Sequence, residues 1–241
     1  MRKIQQRLLD FIYPAMCQIC ERPLTHGINL CSPCIQTMPP IKPPYCQTCG
    51  EAYDGAITKS FTCPNCHKRK LSFDFARAGY RGTKSTLELV HNFKYKRQIH
   101  LSKDIAELTL TGLDDTRFHP YIHDGILIPV PLHWRRYNWR RFNQSQEIAY
   151  QISKLKPELH VLNALKRTKY TQTQTSYTRA MRLTNLKDAF RVRQRLKKNI
   201  QNKHIILIDD VFTTGSTANE CSKTLLDAGA HKVAVLTFLR G

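Results

Sequence analysis

The spacing of hydrophobic residues along the chain changes near residue 75. Before that point, cysteine and proline are frequent and long periodic apolar runs are rare. After it, short β-branched runs alternate with segments in which apolar residues recur at helical spacing. Strands are predicted at residues 126–130, 161–165, 205–208 and 233–239, and helices at residues 87–93, 101–113, 144–155 and 217–228. This alternation indicates an α/β fold in which right-handed crossovers join parallel strands.

Two domains follow from this change of pattern. We predict an N-terminal helix and a cysteine-rich module over residues 1–74, and an α/β domain over residues 75–241. Apolar residues 8–16 are too few to span a membrane and are expected to form a short amphipathic helix on the module. Residues 166–191 are polar and nearly free of aliphatic side chains, which predicts a long mobile loop.

Positive charge is the strongest signal in the composition. Lys and Arg total 38 against 18 Asp and Glu, a net charge of +20 with neutral histidines. Because such an excess repels itself, nucleic acid, phosphorylated metabolites or an anionic membrane surface are suitable partners, although a generally basic proteome would also produce it. The basic residues concentrate at residues 135–141, 166–169 and 191–203. The sequence has no membrane span and no convincing export signal, so a reducing cytosol is expected.

Eight of the nine cysteines form four Cys-x-x-Cys pairs, which are Cys17/Cys20, Cys31/Cys34, Cys46/Cys49 and Cys63/Cys66. Each pair can present two thiolates to one tetrahedral Zn²⁺, and the pairs are spaced as in zinc ribbons. Two zinc ions are predicted, with sequential pairing as the simplest arrangement and interleaved pairing left open. A redox dithiol role is the weaker alternative, because four pairs exceed what such an enzyme needs. Cys221 is expected to be a small packed residue.

Two adjacent carboxylates, Asp209 and Asp210, follow the predicted strand at residues 205–208. In a parallel α/β sheet such a strand leads to the carboxyl edge, where ligand sites form. Adjacent residues of a strand point to opposite faces, so only one carboxylate would face a ligand unless the chain turns there. A carboxylate can accept the two hydrogen bonds that the vicinal hydroxyls of a ribose offer.

A loop rich in hydroxyl groups comes next and consists of Thr213, Thr214, Gly215, Ser216 and Thr217. Gly215 lets the backbone approach a ligand closely, and the free N–H groups at the start of the next helix attract an anion. Such a loop suits a monophosphate, and the acids before it allow a ribose 5-phosphate to span both parts. The Walker and dinucleotide-binding glycine motifs are absent from the sequence. The alternative is that these side chains only cap the loop and the helix.

Residues 205–217 resemble the phosphoribosyl pyrophosphate motif of type I phosphoribosyltransferases. The wider chain resembles the ComF family of competence-associated proteins, and the matching pieces are residues 80–82, 93–95, 128–131, 141–144, Arg167, Gln174, Arg179 and residues 185–190. Arg141 departs from the family pattern, which usually has glycine at this position, so the geometry of the turn there does not follow from the resemblance. The resemblance implies a type I phosphoribosyltransferase-like parallel sheet flanked by helices, with a small N-terminal zinc-ribbon module.

The resemblance also implies where a pyrophosphate would bind. Arg135 and Arg136 would lie near the pyrophosphate-contacting loop, while Lys166 and Arg167 lie where related folds place a basic residue. Arg and Lys make charge-assisted hydrogen bonds to phosphates. The alternative is that all four belong to a solvated basic face. Mg²⁺ is expected with phosphoribosyl pyrophosphate, because it usually binds through the phosphates of a substrate.

Single-stranded DNA is the second expected ligand. Trp139, Arg140 and Arg141 belong to a stretch in which aromatic and basic residues interleave. Single strands bind where positive charge is combined with aromatic stacking platforms. A helix whose aromatic side chains pack inward is the competing interpretation.

Together, the resemblance and these ligands imply a cytosolic competence protein of natural transformation. It would bind phosphoribosyl pyrophosphate and incoming single-stranded DNA, with DNA-processing proteins as further partners. One alternative is a phosphoribosyltransferase of nucleotide metabolism with an unidentified acceptor, and no catalytic residue is predicted for it. Another is a scaffold that binds zinc and DNA and has a vestigial ligand site. Glutamine amidotransferase chemistry is not expected, because no catalytic cysteine stands at the amino terminus.

Overall fold

The computed structural model describes residues 15–25, 29–55, 57, 60–170 and 186–241. Most of the helix predicted at residues 8–16 therefore lies outside the described residues, as do the matching positions Gln174 and Arg179. The last two residues of that predicted helix are not helical. They form strand β1 (Ala15–Met16), which pairs antiparallel with β2 (Pro23–Leu24) ahead of the short helix α1 (Ser32–Gln36).

The remaining elements alternate along the chain as the sequence predicts. The strands are β3 (Ala76–Arg81), β4 (Ile126–Pro129), β5 (His160–Val161), β6 (Leu165–Arg167), β7 (Phe190–Val192), β8 (His204–Phe212) and β9 (Lys232–Arg240). The α-helices are α2 (Lys84–Tyr95), α3 (Ser102–Leu110), α4 (His119–Asp124), α5 (Trp134–Arg140), α6 (Gln144–Leu155) and α7 (Ser216–Asp227). Short 3₁₀ helices lie at Ile99–Leu101, Thr111–Asp114, Thr116–Phe118 and Gln194–Asn199.

Five strands form a parallel sheet in the order β3-β9-β8-β4-β5, which confirms the predicted α/β fold. Strand β8 is apolar on both faces, as expected for a parallel strand covered by helices. Ile206 and Ile208 belong to the hydrophobic cluster that contains the buried sides of α2, α3 and α6. Ile205 and Leu207 belong to the cluster that contains α7. Helices therefore cover both faces of the strand that leads to the candidate site.

Helix α6 starts beside the carboxyl end of β4, and its cap fixes this position. Asn143, a residue type favoured at helix starts, accepts a hydrogen bond at Oδ1 from the N–H of Ser145 at 3.3 Å. Its Nδ2 donates to the carbonyl oxygen of Val130 at 3.0 Å. The first turn of α6 is thereby held at the edge of the sheet where ligand sites form.

The prediction of one long loop over residues 166–191 is wrong at both ends. Strands β6 and β7 pair antiparallel in a separate two-stranded ribbon. Leu165, Ala189 and Phe190 anchor it in the core, and such short apolar pieces are hard to recognise in a polar stretch. The predicted strand at residues 161–165 is likewise divided between β5 and β6, which belong to different sheets. Residues 171–185 lie outside the described residues.

Main-chain hydrogen bonds join the cysteine-rich region to the sheet. The N–H of Ala76 donates to the carbonyl oxygen of Thr48 at 2.8 Å, and that of Ile41 donates to the carbonyl oxygen of Gly79 at 2.9 Å. The division of the chain near residue 75 stays a prediction. Among the described residues, no helix is both long enough and apolar enough to cross a membrane.

Candidate functional site

The paired cysteines form two sets of four. One set is Cys17, Cys20, Cys31 and Cys34, the other is Cys46, Cys49, Cys63 and Cys66, and the sulfur atoms of each set lie within 4.8 Å of one another. All of them except Cys20 are buried. Four thiols at these separations fit one tetrahedral Zn²⁺ per set. The sequential pairing is therefore confirmed, and the interleaved pairing is wrong. We call residues 17–34 the first ribbon and residues 46–73, which include the short segment after the last cysteine, the second ribbon.

Hydrogen bonds favour the thiolate form of one cysteine in each ribbon. Burial disfavours the charged form of Cys17, but backbone N–H groups, including that of Cys31 at 3.4 Å from its Sγ, lower its pKa to about 6. A hydrogen bond from the Cys49 thiol and the N–H of Cys63, at 3.3 Å, lower the pKa of Cys46 to about 4. Because zinc binds thiolates, each ribbon has at least one ligand that needs no deprotonation at neutral pH.

The two adjacent carboxylates lie inside strand β8, because this strand continues to Phe212. The pleat separates their side chains, and no turn brings both to one ligand. The side chain of Asp210 is 4% exposed and forms an ion pair with Lys94 of α2. Asp209 instead accepts a hydrogen bond at Oδ1 from Ser145 Oγ at 2.8 Å. The two acids thus have different surroundings although they are neighbours in sequence.

Charges around the two acids move their pKa values in opposite directions. Burial alone would raise the pKa of Asp210, but the Lys94 ammonium outweighs it and holds that pKa below its usual value. Burial and the negative charge of Asp210 raise the pKa of Asp209 to about 7. Asp210 is therefore the anion of the pair, and Asp209 is the acid that is more easily protonated.

Asp209 faces the same cavity as the hydroxyl-rich loop. This cavity, of about 40 Å³, is lined by Asp209, residues 211–218, Val235 and Thr237. Gly215 has a left-handed φ of 74°, and a Cβ there would lie 2.7 Å from the ring of Phe212. Helix α7 begins at the next residue, Ser216, whose hydroxyl lies 2.8 Å from that of Thr214. One acid, the loop and the start of a helix therefore line one cavity, whereas the sequence interpretation assigned both Asp209 and Asp210 to the ligand.

The candidate pyrophosphate-binding residues differ in their exposure to solvent. Lys166 is exposed on the β6–β7 ribbon directly opposite Arg191. With Arg193 and Arg195 they line a groove of about 450 Å³. Like charges directly opposite each other in a strand pair are destabilising, and among the described residues no carboxylate forms an ion pair with these four. We call them the basic groove.

Arg167 is largely buried, in contrast to its neighbour in the strand. Its guanidinium lies 5.4 Å from the centre of the Phe190 ring. Burial and the nearby charge of Arg136 lower its pKa, while the charge of Asp209 opposes the shift. Arg135 lies farther out, 5.1 Å from the ring centre of Tyr170. The charge of Arg167 thus interacts with the charges of both Arg136 and Asp209.

The residues expected to contact DNA are exposed at the end of α5, with one exception. Trp139 is 49% exposed, 5.9 Å from the ring of Tyr95 and 5.3 Å from the guanidinium of Arg97. Arg141 is exposed and has a φ of 73°, a conformation that glycine adopts more easily. Arg140 is the exception, since it is 6% exposed and donates to Gln144 beside Asp210. Arg140 therefore contacts the surroundings of the acids and not the surface.

The chain is similar to proteins of a known family. Residues 8–67 match the model of a double zinc ribbon domain. The chain is 32% identical over 210 residues to Competence protein F of Haemophilus influenzae, covering 86% of this chain and 88% of that protein. The chain belongs to the ComF family. It is also 31% identical over 236 residues to DNA utilization protein YhgH of Escherichia coli K12, covering 94% and 97% of the two chains.

The chain is also partly similar in structure to a solved protein. A hypoxanthine phosphoribosyltransferase from Staphylococcus aureus is 13% identical to this chain, with a TM-score of 0.35. The match covers 57% of this chain and 64% of that chain.

Three residues around the acids were given no role by the sequence interpretation of this ComF-family chain. They are Lys94, Gln144 and Ser145. Lys94 and Gln144 lie in residues 93–95 and 141–144, which match the family. That match was the only signal in the sequence for these two residues. Their partners are distant in sequence, so no local pattern connects them to the acids.

Proposed function

We propose that this ComF-family protein binds phosphoribosyl pyrophosphate, with Mg²⁺, at Asp209 and residues 213–217. The observation that carries the proposal is the shared cavity of one carboxylate and the loop at the start of α7. The vicinal hydroxyls of the ribose would donate to Asp209. The 5-phosphate would accept from the N–H groups that begin the helix. Mg²⁺ would be held mainly by phosphate oxygens, and it would neutralise their charge.

The pyrophosphate end of this ligand needs positive charge on the other side of the ribose. Arg136 and Arg167 would supply it, since the charge of Arg167 interacts with that of Asp209 as well as with that of Arg136. Lys166 faces the basic groove instead, so we assign it to a different ligand.

Single-stranded DNA is the second ligand that we propose. Trp134, Tyr137 and Trp139 are exposed on α5, and arginines lie over two of these rings. Bases stack on such rings, while the basic groove offers four charges to the phosphodiester backbone. The names of the relatives, which refer to competence and DNA utilization, agree with this ligand. We place the action in the cytosol, on incoming DNA, together with DNA-processing proteins.

Calorimetry with phosphoribosyl pyrophosphate and Mg²⁺ tests the first ligand. Asp209→Asn is expected to weaken binding by about tenfold or more, because it removes the charged acceptor for the ribose hydroxyls. Asp227→Asn, an exposed acid at the far end of α7, is the matched control and should bind as the wild type does. Absence of binding by the wild type, or equal binding by Asp209→Asn, would contradict the proposal.

Titration of a labelled single strand at several salt concentrations tests the second ligand. The logarithm of the affinity should fall with the logarithm of the salt concentration by about 0.7 per neutralised phosphate. Trp139→Ala should weaken binding by about 1–3 kcal/mol through lost stacking, whereas Tyr150→Ala, an exposed aromatic on α6, should not. Binding that does not respond to salt would exclude this surface as a nucleic-acid site.

A phosphoribosyltransferase with an unidentified acceptor is the second candidate. The cavity of Asp209 and the loop favours it, because the same groups would hold phosphoribosyl pyrophosphate for transfer to an acceptor. Release of pyrophosphate from phosphoribosyl pyrophosphate in the presence of nucleobases distinguishes the two candidates. Binding without any release above the uncatalysed rate supports a ligand-binding role alone.

A further inference from the structure

The second ribbon contacts the loop at residues 213–217 directly. Arg69 donates from Nη1 to the carbonyl oxygen of Thr214 at 3.1 Å. Its own N–H donates to the carbonyl oxygen of Cys66 at 3.0 Å, so the side chain starts from the turn that Cys63 and Cys66 form. One arginine therefore connects a pair of candidate zinc ligands with the middle of the loop at residues 213–217, which we call the phosphate loop.

Two more contacts hold the same surfaces together. The N–H of Ser72 donates to Oδ1 of Asn219, in the first turns of α7, at 2.7 Å. Phe73 and Phe212 are both buried and pack edge to face, with 5.8 Å between ring centres. The narrow space between ribbon and loop is lined by residues that include Cys49, Cys66, Arg69, Thr213 and Thr214. The loop is thus packed against the ribbon as well as against its own strand.

The first ribbon makes contacts of a different kind. Asn29 Nδ2 donates to Oδ2 of Asp104 on α3 at 2.7 Å, and Asn92 Nδ2 of α2 donates to the carbonyl oxygen of Gln18 at 2.7 Å. Within the described ranges, its hydrogen bonds reach helices and not residues 209–217. Among the residues that the structure describes, it is therefore the second ribbon that contacts the loop.

From these contacts we infer that the second ribbon positions the phosphate loop and that Arg69 is the positioning residue. The inference rests on the proposed binding of phosphoribosyl pyrophosphate. The carbonyl of Thr214 and the N–H of Gly215 belong to one planar trans peptide and point in opposite directions. A guanidinium that holds the carbonyl on the ribbon side turns the N–H away from the ribbon. Its positive charge also polarises the peptide and makes the N–H a stronger donor.

The test compares Arg69→Ala with Lys70→Ala, which removes the same charge from the exposed neighbouring residue. Arg69→Ala is expected to weaken binding of phosphoribosyl pyrophosphate with Mg²⁺ by about 10-fold, the low end of the range for one hydrogen bond from a charged donor, because Arg69 acts through the loop. Lys70→Ala should stay within about twofold. Both variants should keep two zinc ions. In ligand-free protein, amide hydrogen exchange at residues 214–217 should be faster in Arg69→Ala alone.

Equal binding and equal exchange in Arg69→Ala and wild type would overturn the inference, as would an equal loss of affinity in Lys70→Ala. If the wild type does not bind phosphoribosyl pyrophosphate, the proposed function fails, but hydrogen exchange still tests the contact with the loop. If Arg69→Ala loses zinc, the Asn219→Ala variant tests instead whether contacts with the second ribbon support the loop. This variant removes the acceptor of Ser72 from the α7 side and leaves the ribbon sequence intact. Unchanged exchange in it would count against the ribbon as a support of the loop.

Discussion

The first ribbon and the parallel sheet are stabilised in different ways. The buried apolar cluster of the first ribbon consists, among the described residues, of Cys17, Cys31 and Cys34, with Ile19 and Leu24 packed against it. Strand β8, by contrast, buries aliphatic side chains on both faces under helices. In the ribbon, metal–thiolate bonds take the place of a hydrophobic core that so few side chains cannot form. The sheet has the buried apolar area that the first ribbon lacks.

The second ribbon lies between these two extremes. Its four cysteines belong to the same buried cluster as Ile205 and Phe212 of β8. It therefore shares its core with the sheet, in addition to having four thiols that fit one zinc ion. Loss of metal from the first ribbon should stay local, whereas loss from the second should reach the phosphate loop.

The largest expected effect comes from removing one metal site. Replacing Cys17 and Cys20 together by serine should eliminate one of two zinc ions and unfold the first ribbon, because a structural zinc supplies on the order of 10 kcal/mol of apparent folding energy. Native mass spectrometry measures the zinc content, and hydrogen exchange shows whether the sheet stays protected. Cys221→Ala, in a buried cysteine outside both sets, should retain two zinc ions. Two ions in the double variant would refute the sequential sets.

A smaller effect is expected from the core of the sheet. Ile206→Ala should lower the free energy of unfolding by about 2–5 kcal/mol, because it leaves a cavity where a fully buried side chain packed. Urea unfolding measures this change, and the zinc content of the folded variant should remain unchanged. Leu87→Ala, at an exposed position of α2, should change stability by no more than about 0.5 kcal/mol. Loss of zinc from folded Ile206→Ala would show that ribbons and sheet are not stabilised separately.

The smallest effect is a pH dependence that distinguishes the sheet from the ribbons. The folded pKa of Asp209, about 7, lies above its unfolded value of about 3.9. Its contribution to stability is thus fully present below the unfolded value and is lost as pH rises through about 7. Compared with Asp209→Asn, the wild type should lose on the order of 2–3 kcal/mol between pH 5 and 7.5. Zinc sites change in the opposite direction, because acid protonates their thiolates.

The difference between wild type and variant isolates this term, since the ribbons are common to both proteins. Asp210 does not interfere, because its lowered pKa makes its contribution present above its unfolded value and lost only as pH falls below it. A parallel pH dependence of the two proteins between pH 5 and 7.5 would contradict the raised pKa of Asp209.

The elements with strong local signals could be predicted from the sequence. Helix α6 has the predicted bounds, Gln144–Leu155, because its apolar residues recur at helical spacing and Asn143 caps it. The β6–β7 ribbon was missed, because its strands are three residues each and their pairing joins segments that are far apart in the chain. Pairing of that kind leaves no periodicity within either segment.

The four cysteine pairs, the parallel sheet and the loop at the start of α7 followed from the sequence alone, because each depends on spacing within short segments, whereas the grouping of the pairs into two sets did not. Only the tertiary structure decided which acid faces that loop, since the course of β8 and the position of Lys94 separate Asp209 from Asp210. It also decided that the second ribbon, through Arg69, lies against the loop. Contacts of this kind arise when distant segments pack together, and no local pattern records them.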